Sequence, residues 1–201
     1  MNKMIASCAA VAFAVAGQAS ADVFTDSASF MSALEPGAYT NDFSDTFAGP
    51  SGDLMYSGGG FSYTVGTANA LGPAISGLFN DPGLVSTDNA GDGILVTFTS
   101  GNVTAVGGNF WSTDINFQAA PATVTITLDD GTTEIFSSSS SIDFRGFTSV
   151  STISSIFIDT DDAAAPTWSA MDNLTVGTNI PAPGTAALLG LGGLVATRRR
   201  R

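Results

Sequence analysis

The chain has 201 residues, 44 % of them hydrophobic, which is enough apolar mass for one folded domain and too little length for two full ones. It carries 18 acidic residues against six basic ones, a formal net charge of −12, and every acid lies between Asp22 and Asp172, where Arg145 is the lone base. Such a body repels nucleic acid and anionic lipid and leaves cations and neutral sugars as partners. With no histidine and Cys8 as the single cysteine, a Ser-His-Asp triad, a Cys-His pair and an ordinary zinc site are excluded.

Residues 1–21 read as a signal peptide. Lys3 is the positive start, "MIASCAAVAFAVAG" is the apolar run, and Ala19 and Ala21 place small residues at the −3 and −1 positions of a cleavage site. The mature chain is expected to begin at Asp22 and to lose Cys8 with the leader. The exported protein then has no disulfide available to it, and packing or bound ions must hold it.

Residues 22–180 read as an all-β domain, an antiparallel sandwich of jelly-roll type, after one short helix. "TDSASFMSAL" offers Thr25 or Asp26 as N-cap, with Phe30, Met31 and Leu34 on one helical face. Short strand patterns then recur between clusters of Gly, Asn, Asp and Pro. "GILVTFTS" puts Ile94, Val96 and Phe98 on one side. In "TVTITLDDGTTEIF", Val124, Ile126 and Leu128 alternate with threonines, and Asp130-Gly131 reads as a two-residue turn. That register sets Ile126 opposite Ile135, with both buried. "TISSIFIDT" and "WSAMDNLTVG" supply two more strands.

Several positions could carry chemistry. Asp88, Asn89 and Asp92 in "TDNAGDG" read either as an oxygen-rich calcium loop or as a polar turn, and they lack EF-hand spacing. Asp159, Asp161 and Asp162 in "DTDD" are a second calcium candidate or a solvated loop. No cofactor is required by the sequence; calcium is the one it suggests. Trp111 and Trp168 read as sugar-stacking platforms or as packing residues. Arg145 reads as a structural ion pair. The serine run Ser137 to Ser141 reads as a flexible loop or an acceptor for O-linked sugar. Asp172 and Asn173 suit side-chain to backbone bonds closing the last strand. A glycosidase would need two facing carboxylates, and nothing in the sequence singles out a pair.

The tail, residues 181–201, is "PAPGTAALLGLGGLVATRRRR". Thr185 to Thr197 is uncharged and, as a helix, reaches about 20 Å against a hydrocarbon core of about 30 Å. Pro181 and Pro183 break any helix upstream, and Gly190, Gly192 and Gly193 weaken the span itself. Arg198, Arg199, Arg200 and Arg201 would hold the end in the cytoplasm. The Pro-x-Pro motif, the Gly/Leu/Ala span and the terminal Arg cluster resemble the PEP-CTERM sorting signal, with Ala182 where that signal usually carries Glu. The resemblance implies an exosortase-type processing enzyme as partner and a transient stay in the inner membrane. It also implies delivery to the cell surface or extracellular matrix of a Gram-negative-type bacterium that makes exopolysaccharide. The processing motif would be Pro181, Ala182, Pro183 and Gly184.

The body is similar, more loosely, to a β-sandwich ectodomain that often precedes this signal, through "VTAVGGNFWSTD", the "DGT" hairpin, "FRGFTS" and "MDNLTVG". That resemblance implies secretion and a jelly-roll-like fold and supplies no catalytic residue. The expected function is therefore adhesion or exopolysaccharide association without enzymatic activity. A carboxylate-based glycan hydrolase or lyase and a purely structural surface protein are the alternatives.

The tail carries its own prediction. Mass spectrometry of surface-associated protein should find a chain that begins at Asp22 and lacks Arg198 to Arg201. Intact arginines on the bulk of the mature population would instead mark a simple tail anchor.

Overall fold

The computed structural model describes residues 20–44, 51–69, 77–81, 83–163 and 165–181. Ala21 is among them: it is buried, and its N–H donates to Thr132 Oγ1 at 3.2 Å. Residues 1–19 of the leader, Ala19 included, and Ala182, Pro183, Gly184 and Arg198 to Arg201 of the tail lie outside the described residues. Between them stands an all-β sandwich of two antiparallel sheets.

The elements run β1 (Asp22–Phe24), α1 (Ser27–Ser32), β2 (Tyr39–Asn41), β3 (Leu54–Gly58), β4 (Phe61–Ala68), β5 (Leu78–Asp81), β6 (Leu84–Thr87) and β7 (Gly93–Phe98). They continue with β8 (Ala105–Thr113), β9 (Ala119–Ala120), β10 (Ala122–Leu128), β11 (Thr133–Ser138), β12 (Phe144–Thr148), β13 (Ser155–Thr160) and β14 (Trp168–Gly177). One sheet has the order β1-β12-β8-β14-β6-β5, and the other β11-β10-β13-β7-β4-β3. The long strands β8 and β14 pair at the centre of the first sheet. Each is flanked on its far side by two shorter strands, β12 and β9 along β8, β6 and β2 along β14.

Period-2 alternation builds the core. Ile94, Val96 and Phe98 of β7, Val124, Ile126 and Leu128 of β10, and Ile156 and Ile158 of β13 point inward from one sheet. Val106 and Phe110 of β8, Phe147 of β12, and Met171, Leu174 and Val176 of β14 meet them from the other.

The hairpin between β10 and β11 departs from the register read in the sequence. Leu128 N donates to Thr132 O at 2.9 Å and Gly131 N to Leu128 O at 3.0 Å. Asp129, Asp130 and Gly131 therefore form a three-residue loop, with Gly131 at φ 87° supplying the left-handed position. The added residue moves β11 by one. Ile126 faces Glu134, Phe136 becomes the buried partner of Val124, and Ile135 is 64 % exposed.

Helix α1 is capped by Asp26, whose Oδ1 accepts from Ser29 N at 2.8 Å. Phe30 and Leu34, four apart, are buried, whereas Met31 is exposed because a helix this short turns one narrow stripe inward. Phe30 packs on the outer face of the first sheet with Leu34, Ala105 and Phe144. A Cβ on Gly146 would lie 2.6 Å from the Phe30 ring, and one on Gly107 2.9 Å. The bare backbones of "VGGN" and "FRGF" thus make the seat for the helix.

Arg145 bridges the sheets at one edge. Its Nε lies 3.2 Å from Glu134 Oε1 on β11, its guanidinium sits 3.7 Å above the Phe136 ring, and a terminal nitrogen donates to Phe144 O at 2.7 Å. The serine run is not loose. Asp143 Oδ2 accepts from the Ser138 hydroxyl and from the N–H groups of Ser139 and Ser140. At the other end of the body, Ile180 N donates to Ala33 O at 2.8 Å, and the exposed Pro181 follows.

The register is directly checkable. Ile126→Asp should cost about 3–5 kcal/mol by burying an unpaired charge, and Ile135→Ser should stay within about 0.5 kcal/mol of wild type. Urea denaturation of both variants measures the difference; the two-residue turn would predict losses at both positions.

Candidate functional site

Helix α1 covers only part of the outer face of the first sheet. The rest is open and carries a row of three basins that share lining residues, referred to as the groove. The first, about 610 Å³, lies beside α1 and is lined by Met31, Thr40, Asn109, Ile142, Phe144 and Asn173 among others. The second, about 440 Å³, shares Asn109, Ile142 and Asn173 with it and adds Trp111, Phe117 and Asp172. The third, about 160 Å³, shares Phe117 with the second and is lined by Phe79, Thr87, Asp88, Asp114, Ile115 and Trp168.

Strand alternation explains why these side chains meet. Asn109 and Trp111 of β8 lie on the face opposite the inward Phe110, and they pair with Asp172 and Ala170 of β14. Trp168 pairs with Thr113 on the same face. Phe79 of β5 pairs with Ser86, which in turn faces Ala170, so it reaches this face from the sheet edge.

The turn from β8 to β9 closes over the small basin. Asp114 N donates to Gln118 O at 2.9 Å, and Asp114 Oδ1 accepts from Asn116 N at 2.8 Å and Gln118 N at 3.0 Å. Those backbone bonds, from Gln118 first and Asn116 second, hold the Asp114 carboxyl below the usual range and keep it charged. The turn puts Phe117 at φ 59°, a strained conformation for an aromatic residue. Its ring stacks on Phe79 at 4.7 Å between centroids and 24° between planes. Opposite them, the half-buried Trp168 donates from its indole Nε1 to Asp88 O at 3.3 Å.

Asp172 and Asn173 lie within β14, not at its end. A bulge falls between Asp172 and Thr175, Asn173 adopts φ 52°, and Asp172 accepts from Asn173 N at 2.5 Å and from its Nδ2 at 2.7 Å. Burial pushes the Asp172 carboxyl up; the Asn173 N–H opposes this, and the charge of Asp42 adds to it.

The sequence candidates distribute as follows. Trp111 and Trp168 come to one face, but Trp111 is 2 % exposed and forms the groove floor, leaving Trp168 as the more open ring. Asp88 lines the small basin, whereas Asp92 is fully buried and accepts from Asn69 Nδ2 at 3.1 Å. Asn89 serves the turn between them, its carbonyl accepting from Asp92 N. Asp161 Oδ1 closes its own turn on Ala163 N, and Asp162 is exposed. The Asp159 carboxyl is pushed up by burial, against the Thr160 N–H, with further repulsion from Asp162, Asp161 and Asp92. The two acidic loops are thus neighbours in space. Among the described residues, no group of three or more acidic side chains gathers as a metal-ligand set. Phe79, Asp114, Ile115 and Phe117 are the groove residues that sequence reading passed over. The signal for them is the "TDINFQ" turn directly after a strand that carries Trp111.

No protein-family model matches the sequence, and no curated protein or solved structure matches the chain. Among the described residues no helix is long and apolar enough to cross a membrane.

Asp159 gives a pH prediction. Its folded-state pKa is raised, so the native state holds this proton more tightly than the unfolded chain does. The cost of its ionisation is absent below the unfolded value of about 4 and grows as pH rises through the folded value. Asp159→Asn should therefore raise Tm at pH 7, and the gain over wild type should vanish towards about pH 3.5. A gain independent of pH would mean that charge is not its cause.

Proposed function

We propose that the chain is an exported bacterial surface protein whose sandwich, a jelly roll, binds exopolysaccharide along the outer groove, and whose PEP-CTERM-like tail delivers it there. The observation that carries the binding reading is the aromatic and carboxylate lining of the groove on the open half of the β8 and β14 face. Sugar rings stack their C–H faces on aromatic side chains and offer hydroxyls to carboxylates and amides, and the groove supplies both within one concave surface. The strand order supports the jelly-roll assignment. Strands β6-β14-β8-β12 in one sheet and β7-β13-β10-β11 in the other are reached by a chain that passes between sheets at nearly every connection. Ile115 and Ile142, exposed at the groove edge, fit a surface that a partner covers.

The sorting half of the proposal rests on the sequence of residues 181–201 and on the position of Pro181, which leaves the body exposed just past its last anchored residue. An exosortase-type enzyme would meet an extended segment at that point. The inner membrane is a temporary partner, and the product resides at the cell surface or in its matrix.

One observation favours hydrolysis as a second reading: Asp88 and Asp114 line the same basin. In that reading Asp114, held ionised by its turn, suits the base or nucleophile and not the proton donor, so that Asp88 would have to donate.

The exported protein should be retained by exopolysaccharide from its own host without generating new reducing ends, and Trp168→Ala should weaken retention about fivefold or more, since each aromatic stacking contact is worth on the order of 1 kcal/mol or above. New reducing ends that disappear in Asp88→Asn would establish the hydrolase. Unchanged retention in Trp168→Ala would remove the groove as the site.

A further inference from the structure

We propose that the small basin between Trp168 and the Asp114 to Gln118 turn selects a hexosamine unit bearing a free ammonium group, so that the preferred ligand is a cationic amino-sugar polysaccharide. The inference rests on the reading of the groove as a glycan site and names the sugar that its narrowest part takes.

Charge is the first argument. Two carboxylates, Asp88 and Asp114, line the basin, and no basic side chain does. Arg145, the lone base between the termini, is engaged with Glu134 and Phe136 at the edge between the sheets. Asp114 takes both of its turn bonds on Oδ1, which leaves Oδ2 free to accept from a ligand. A neutral ring laid over Trp168 would strip water from these carboxylates and return only hydroxyl bonds. A uronate would add a third negative charge. An ammonium restores what desolvation removes and makes charge-assisted hydrogen bonds with the carboxylates.

A further feature points to a ligand with a ring. Phe79, Phe117 and Trp168 line the basin, the first two stacked on each other, and such side chains suit an apolar ring face and attract a cation. Size fits the same unit. At about 160 Å³, against about 30 Å³ for a water in the liquid, the basin holds roughly five waters. That is room for one ring, with the basins of about 440 and 610 Å³ receiving its neighbours along the chain. N-acetylation would remove the charge and add bulk at the point of tightest fit.

The test is calorimetric titration of the exported protein at about 150 mM salt, where exposed charges are screened beyond about 8 Å. The probes are tetramers of glucosamine, of N-acetylglucosamine and of galacturonate. The glucosamine tetramer should bind at least about tenfold more tightly than its acetylated form, and the galacturonate tetramer least of all. Asp114→Asn keeps the turn's acceptor oxygen and removes the charge, and Asp88→Asn does the same on the other wall; each should erase that preference. Neutralising exposed acids outside the basin, as Glu35→Gln with Asp130→Asn, should leave it intact. Equal affinity for the two glucosamine forms, or a preference that survives both basin variants, would overturn the inference. A loss of preference in the distant variant would overturn it too, as diffuse attraction to an acidic surface. In each of those cases retention on exopolysaccharide would still support the groove. A protein that neither binds a tetramer nor is retained on exopolysaccharide would overturn both.

Discussion

The closure of two sheets over a shared apolar layer is the constraint on which everything else in this molecule depends. The body carries 18 acids and one base, no cysteine and no histidine, so neither disulfide, zinc nor a web of ion pairs opposes its self-repulsion. What opposes it is the layer of Ile94, Val96, Ile126, Ile156 and Ile158 against Phe110, Phe147, Met171 and Leu174, all fully buried. Arg145 is the exception that shows the rule. Its charge is spent where the sheets part at an edge, over the Phe136 ring and beside Glu134, closing the layer against water and not pairing with the acids of the surface.

Once the inner faces are committed to each other, the outer faces are free to differ. On the first sheet the division is made by glycine. Gly107 and Gly146 leave a depression that Phe30 fills, so α1 seals that half of the face. Two and four residues further along β8, Asn109 stands at the margin of the helix and Trp111 beyond it. The same strand therefore serves packing at one end and the groove at the other, and its inward Val106 and Phe110 hold both in fixed relation. A binding surface on a central strand pair is more rigid than one built on loops alone, and here a single turn, Asp114 to Gln118, completes it.

How far the sequence could be read follows from the range of the interactions involved. Alternation is local, so Ile94, Val96, Val124, Ile126 and Leu128 declared their face and were found on it. Turn geometry depends on one residue's backbone angle: placing Gly131 in a three-residue loop in place of a two-residue one was enough to send Ile135 to solvent and bring Phe136 inside. The groove is less legible still, because it is assembled across strands. Trp111 and Trp168 were visible as candidates, being rare and large. Phe79 was not, since its face is decided by pairing with β6, and Asp114 and Phe117 gain their roles from a turn whose left-handed residue is an unlikely Phe. The acidic loops at Asp88 and Asp159 stand far apart in the sequence; only the β7 and β13 pairing makes them neighbours.

Where the molecule tolerates strain is informative in the same physical terms. Of the three non-glycine residues at positive φ among the described residues, two, Phe117 and Asn173, line the groove. Each such conformation costs on the order of 1 kcal/mol or more and persists only when its surroundings hold it. Asn173 sits at a bulge that interrupts the β8 and β14 ladder, and beside it Asp172 keeps a carboxyl in a setting whose burial disfavours its charge. A sheet selected for stability alone would carry a β-branched residue at such a position and no bulge. Two of the three thus fall on the part of the first sheet's outer face that the helix leaves open, and the third, Phe43, is fully buried between the sheets. The strain at Phe117 and Asn173 lies on the face for which we propose glycan recognition, and the buried layer supplies the stability that offsets it.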